Sequence, residues 1–158
     1  MHTLRLSLHN RKNTICFSKD ICMKLAIVGS REFGNYRLLC DEVDKIRAVH
    51  TISAIVSGGA KGADTLAKRY AEENRLPLVE FFPDYSRFRR AAPLQRNSQI
   101  VNYADCVLAF VTAASKGTWD TIRKAEQAKK QVIIVTDNSE DSGYDSEYFA
   151  PKTTGLRK

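Results

Sequence analysis

"ISAIVSGGAKGADTLA", residues 52–67, runs a short apolar stretch into three glycines and a lysine, then into a helix-like pattern. A strand that breaks at glycine and restarts as a helix is the βα unit of an α/β sheet. Such a turn has two uses. It can close a helix against the sheet, or it can aim backbone N–H groups at a phosphate. It is not a Walker A loop, because no Lys-Ser or Lys-Thr follows the last glycine. It also misses the dinucleotide fingerprint G-x-G-x-x-G, since Ser57 stands where the first glycine belongs and the stretch follows the second strand. Spacing alone leaves both uses open.

The same alternation extends in both directions. Short apolar runs at 24–28, 52–56, 77–82, 105–111 and 131–136 read as strands. Between them, 36–49, 62–74, 93–104 and 118–130 carry apolar residues near helical spacing, and 83–91 reads as a long loop. Strands that are apolar throughout, separated by helices, describe a parallel sheet covered on both faces. The fold predicted is α/β: a doubly wound, Rossmann-like parallel sheet of about five strands. No repeat of 20–50 residues interrupts it. Residues 1–22 show no sustained period and are expected to lie outside the core, as a disordered extension or an addition from an upstream start. Residues 23–137 form the expected α/β domain, and the Ser-, Asp- and Gly-rich 138–158 a flexible tail.

With 158 residues the chain is long enough to bury a core in one domain. Four cysteines without a C-x-x-C pair or a histidine cluster argue against a disulfide framework or a zinc site. No metal or cofactor is expected, and a reducing cytoplasm fits. No run is long and apolar enough for a membrane span, and the N-terminal residues lack the apolar core of a secretory signal. The net charge of +7 favours anionic partners, but its lysines and arginines are spread along the chain.

In open α/β sheets, ligands sit beyond the C-terminal ends of the strands. The segments there are "GSREF" (29–33), "SGGAKGAD" (57–64), "PDYSRFRRAAPLQRN" (83–97) and "TAASKGTWD" (112–120). Three of the four set glycine beside Ser or Thr, and all carry Arg or Lys. Glycines admit a ligand close to the backbone, helix N-termini favour phosphate, and arginine supplies forked donors. Thr118 reads as a natural helix N-cap and Asp64 as a first-turn carboxylate, whatever is bound. Trp119 suits base stacking or packing equally, and Cys106 reads as core. Arg87, Arg89 and Arg90 are dense enough for a nucleic-acid contact, although charge runs on loops are usually just solvated.

Together "VGSREF", "IVSGGAKGADTLA", "QRNSQIVNYADCVLAF" and "KGTWDTI" resemble the SLOG superfamily, and within it the YspA/YpsA-related family. DprA-like proteins and the LOG phosphoribohydrolases are more distant members of that group. The resemblance implies a pocket for a nucleotide or nucleotide-derived small molecule such as an ADP-ribose-like ligand, in a sensing, sequestering or regulatory protein. It also implies a homodimer or higher homo-oligomer. Carried over by position, Gly29, Ser30 and Arg31 line one side, while Ser57, Gly58, Gly59, Gly62 and Asp64 form a second wall. Arg96 and Asn97 match the family's Arg-Asn pair, Arg96 falling where LOG enzymes keep a catalytic arginine. Gly117 and Thr118 match the Gly-Thr that begins the phosphate-binding helix. LOG enzymes follow that Gly-Thr with a glutamate, where this chain has Thr121. An enzyme would therefore have to use Arg96 with Asp120, which is rotated about 100° from that position on a helix, or with Asp64. The close family's glycines in the third-strand loop are replaced here within "FRRAAP". The alternatives are a nucleoside-monophosphate N-glycosidase and a DprA-like protein that binds single-stranded DNA.

Overall fold

A computed structural model describes residues 22–137. The expected extension and tail lie outside these residues, except that Cys22, placed with the extension, opens the first strand. The elements run β1 (Cys22–Gly29), α1 (Tyr36–Val49), β2 (Thr51–Ser57), α2 (Ala63–Glu73), β3 (Leu78–Glu80), α3 (Tyr85–Phe88), a 3-10 turn (Arg89–Ala91), α4 (Ala92–Tyr103), β4 (Cys106–Val111), α5 (Lys116–Gln127) and β5 (Gln131–Thr136). All four strand pairings are parallel, and the order across the sheet is β3-β2-β1-β4-β5. The expected Rossmann-like sheet of five strands is therefore the observed one.

Alternation along the strands divides the core in two. Leu25 and Ile27 of β1, with Leu108 and Phe110 of β4, face α1 and α2 on one side. Ala26 and Val28, with Val107, Ala109 and Val111, face α4 and α5 on the other. Every residue of β4 is buried, which a central strand with helices on both faces requires. Cys106 belongs to the first cluster, and burial pushes its thiol up to about 11, so it packs and does not react.

Local chemistry fixes where the elements start. Asn35 caps α1 by accepting from Leu38 N at 3.0 Å. Asp84 does the same for Arg87 N at 3.1 Å, and this side-chain turn makes a short helix in a segment expected to be loop. β3 shrinks to three residues, Leu78, Val79 and Glu80 standing in register with β2, while Pro77 O and Phe81 N each add one flanking hydrogen bond to it. α5 begins two residues before the expected 118, with Ser115 at the N-cap position and Thr118 inside the first turn. Thr118 is therefore not the cap. Ser115 Oγ does not bond its own helix; it accepts from Thr112 N at 2.7 Å and so tightens the turn leaving β4.

The turn leaving β1 is held by an aromatic contact. Phe33 and Phe110 stack with centroids 4.6 Å apart, both rings inside the first core cluster. Removing the Phe33 ring opens a cavity beneath that turn. Phe33→Ala is expected to lower the unfolding free energy by about 3–5 kcal/mol, and Phe33→Leu by clearly less. Urea unfolding followed by circular dichroism measures both.

Candidate functional site

β1 and β4 lie side by side, yet the chain leaves β1 toward α1 on one face and β4 toward α5 on the other. This divergence opens a crevice at the strand ends, where ligands bind in doubly wound sheets. Here the crevice is a cleft of about 380 Å³. Its walls come from the end of β1, the start of α2, the first half of α4 and the turn into α5.

Eight of the residues singled out in the sequence meet in this cleft: Gly29, Ser30, Arg31, Asp64, Arg96, Asn97, Gly117 and Thr118. Ser57, Gly58, Gly59, Gly62 and Asp120 do not line it. The glycine stretch acts mainly behind the wall. A Cβ at Gly58 would run into Arg96 Nη1, so Gly58 makes room for that guanidinium. A Cβ at Gly62 would run into the Ser30 carbonyl oxygen, and its φ of +77° belongs to glycine. Gly59 lies under the Phe82 ring. Ser57 is fully buried, and its Oγ has no hydrogen-bond partner among the described residues. Only Ala60 of the segment between Ser57 and Gly62 reaches the cleft.

Arg96 is held from three sides. Its Nη1 donates to Gly58 O at 2.5 Å and lies 4.0 Å from Asp64 Oδ2, and its Nε donates to Asn97 Oδ1 at 3.1 Å. Asn97 passes the connection on, donating from Nδ2 to Asp120 Oδ2 at 3.0 Å. Asp120 pairs with Lys124 at 2.8 Å. One polar chain thus ties α2, α4 and α5 together, with Asp64, Arg96 and Asn97 lining the cleft and Asp120 and Lys124 outside it. Burial pushes the Asp120 carboxyl up, but the hydrogen bonds from Lys124 and Asn97 outweigh it and hold the group below its ordinary range. A carboxylate engaged in this way, outside the cleft, is badly placed to assist a reaction within it.

Asp64 is different. It is 6% exposed, and burial pushes its carboxyl above the ordinary range against the Ala60 N–H at 3.0 Å and the Arg96 charge. Thr121, at the position of the LOG glutamate, lines the cleft and donates from Oγ1 to Gly117 O at 3.3 Å. Trp119 packs against the second core cluster and is not part of the cleft. Sequence reasoning missed Glu32, Ser115 and Lys116, which also line it. All three stood inside quoted segments, Ser115 within residues 112–120. Ser115 could have been found only by starting α5 earlier.

The displaced Asp64 titration has a consequence for stability. The folded protein keeps a proton that the unfolded chain loses near 3.8, so this group's contribution falls as pH rises from there through the raised value. Asp64→Asn carries no such proton. Urea melts from about pH 3 to about pH 7 are expected to show the variant gaining on wild type as pH rises. A difference that stays flat or shrinks would contradict the assignment.

Comparison with known proteins agrees with this architecture. The profile of the YAcAr family (YspA, cpYpsA-related SLOG family) matches residues 23–88. Gene 61 protein of Mycobacterium phage D29 is 31% identical over 117 residues, which cover 70% of this chain and 94% of that protein. The fold of DNA processing protein A (DprA) from Streptococcus pneumoniae superposes with a TM-score of 0.62 at 19% identity, covering 76% of this chain and 52% of that one. This chain therefore spans about half the length of DprA, and the likeness is one of fold. Among the described residues no helix is long and apolar enough to cross a membrane. With the quoted motifs set on a parallel β3-β2-β1-β4-β5 sheet and the phage relative matched over nearly its whole length, the chain belongs to the YspA, cpYpsA-related SLOG family.

Proposed function

We propose that the cleft binds a nucleotide or a nucleotide-derived ligand, with a phosphate seated at the N-terminus of α5, and that the protein senses, sequesters or regulates through that ligand. The observation that carries this is the first turn of α5 facing the cleft at the β1–β4 switch point. Ser115, Lys116, Gly117 and Thr118 all line it. The first N–H groups of a helix have no carbonyl one turn back, and the helix dipole favours an anion there. Arg31 and Lys116 are exposed at the same cleft and have no ion-pair partner among the described residues. A site for binding is supported over one for cleavage because Thr121 offers a hydroxyl where the LOG enzymes use a carboxylate, and Asp120 is committed to Lys124 and Asn97.

Titration calorimetry with nucleoside mono- and diphosphates, ADP-ribose and cyclic ADP-ribose is the direct test, and saturable binding by at least one is expected. Gly117→Asp places the phosphate. A Cβ there meets nothing within 4 Å, and an acid in the first turn suits the helix, so the fold tolerates it. Its carboxylate repels a phosphate at the same spot, and affinity is expected to fall about tenfold or more. Unchanged affinity would move the phosphate elsewhere, and no binding by any compound at millimolar concentration would end the proposal.

A second function has its own support in the segment between β3 and α4. Phe82 and Tyr85 are 62% and 58% exposed, and Arg87, Arg89 and Arg90 follow them. Arg87 lies over the Phe88 ring at 5.0 Å, and none of the three arginines has an ion pair among the described residues. Aromatic faces beside such cations suit stacked bases and phosphates of a single strand. A labelled oligonucleotide is expected to bind with an affinity that falls steeply with salt, and more weakly when the three arginines are replaced by alanine. Absence of a salt dependence removes the electrostatic basis.

A further inference from the structure

We propose that Glu32 is a specificity-determining residue of the cleft, accepting hydrogen bonds from the ribose hydroxyls of a nucleoside phosphate. This deepens the nucleotide-binding function proposed above and rests on it. Glu32 lines the cleft and is exposed, and its carboxylate has no hydrogen bond or ion pair among the described residues. It is nevertheless not on a loose loop. Ser30 before it is 3% exposed and Phe33 after it 2%. Ser30 N donates to Phe110 O at 3.0 Å, and Ser30 Oγ accepts from the N–H of Glu32 itself at 3.2 Å. The Ser30 carbonyl accepts from both Phe33 N and Ala63 N at 3.2 Å, and Gly62 presses against the same carbonyl and the Arg31 backbone. A backbone anchored on both sides fixes the point on the cleft wall from which the Glu32 side chain extends, while the carboxylate itself, held by no neighbour among the described residues, stays available to a ligand.

The charge of this carboxylate is at odds with its surroundings. The cleft also contains Arg31, Lys116 and the anion-favouring end of α5, and Glu32 pairs with neither cation. A bare phosphate gains nothing from Glu32 and is repelled by it. A ligand with a phosphate at one end and hydroxyl donors at the other uses both features, and its hydroxyls make charge-assisted hydrogen bonds. Asp64, the other carboxylate lining the cleft, is less suited. Its Oδ2 already accepts from Ala60 N and faces Arg96, and its raised pKa disfavours the charged acceptor. A cleft of about 380 Å³ is of a size to hold a ligand on the scale of one nucleotide.

The experiment is calorimetry of the full chain with the ribo and 2′-deoxy forms of AMP, GMP, CMP and UMP, and with inorganic phosphate. Wild type is expected to bind the ribo form of its preferred nucleotide about tenfold more tightly than the deoxy form, the size of one lost charge-assisted hydrogen bond. Glu32→Ala is expected to erase the difference by weakening the ribo form alone, with phosphate bound as well as before or better. Glu32→Gln, whose carbonyl still accepts, is expected to keep part of the preference. Equal binding of ribo and deoxy forms by wild type overturns the role of Glu32 and leaves the nucleotide pocket standing. A preference that survives in Glu32→Ala does the same. If none of the eight nucleotides binds, the role of Glu32 toward a nucleoside monophosphate is overturned, and the pocket itself falls only if the nucleoside diphosphates, ADP-ribose and cyclic ADP-ribose fail as well.

Discussion

The geometry of the site depends on the contact between Gly62 and the corner where β1 ends. No side chain separates the first residue of α2 from the Ser30 carbonyl, so Ala63 N reaches it at 3.2 Å. That carbonyl is already bonded by Phe33 N, and Ser30 N is bonded to Phe110 O. One residue therefore joins the end of β1, the start of α2 and the end of β4. Strands alone would set the height of these loops above the sheet. The Gly62–Ser30 contact sets their lateral position, and with it the near wall of the cleft. Any side chain at position 62 would need both a positive φ and space that the Ser30 and Arg31 backbone occupies.

The far wall depends on a second set of contacts, and the two sets divide the charged residues by role. Arg96 is held by Gly58 O, Asn97 Oδ1 and the nearby Asp64, and the chain continues through Asp120 to Lys124. Lys124 also donates to Leu94 O at 2.6 Å, which returns the chain to the start of α4. Buried charges cost several kcal/mol each in desolvation unless hydrogen bonds offset it; for Asp120 the bonds from Lys124 and Asn97 outweigh burial, whereas for Asp64 burial prevails. Such residues fix the angle between α4 and α5. Arg31, Glu32 and Lys116 face the same cleft with no such commitment among the described residues. A side chain without an internal partner can reorganise around a ligand at little cost to the fold.

The sheet was legible in the sequence because its strands are buried on both faces. "DCVLAFV" has no polar interruption from Cys106 to Val111, and that pattern has few solutions other than a central parallel strand. The strand order that sets β1 beside β4 is a pairing between distant segments and was not read from the sequence. Helix starts were less legible. Thr118 looks like a cap because threonine favours that position, but Ser115 took it when the turn after β4 closed three residues earlier. The role of the glycine stretch was half legible. The spacing gave a turn, and the quoted motifs placed it at the cleft, yet the contacts of Gly58 and Gly62 are with Arg96 and Ser30. Those contacts are made by residues far apart in the chain, which no local pattern encodes. Glu32 was hidden for the opposite reason. An acid after a strand is ordinary in sequence, and only its position between two buried anchors makes it unusual.

The distinction between committed and uncommitted charges also bears on how the cleft would respond to its surroundings. Arg31 and Lys116 are exposed, so their attraction for an anion is screened over about 8 Å at physiological ionic strength. Arg96 is mostly buried, held by the Gly58 and Asn97 oxygens with the Asp64 carboxylate 4.0 Å away, so salt reaches its charge far less. Salt should therefore weaken the approach of a phosphate more than its final seating at α5. The backbone N–H groups there carry no net charge. A ligand held mainly by the helix terminus and by hydroxyl contacts would keep much of its affinity as salt rises. One held mainly by the exposed cations would lose it. The arrangement around Gly117 and Glu32 is of the first kind, and the arginine-rich segment before α4 is of the second. The two proposed surfaces thus differ in physics as well as in place, and the salt dependence of each identifies which one a given ligand uses.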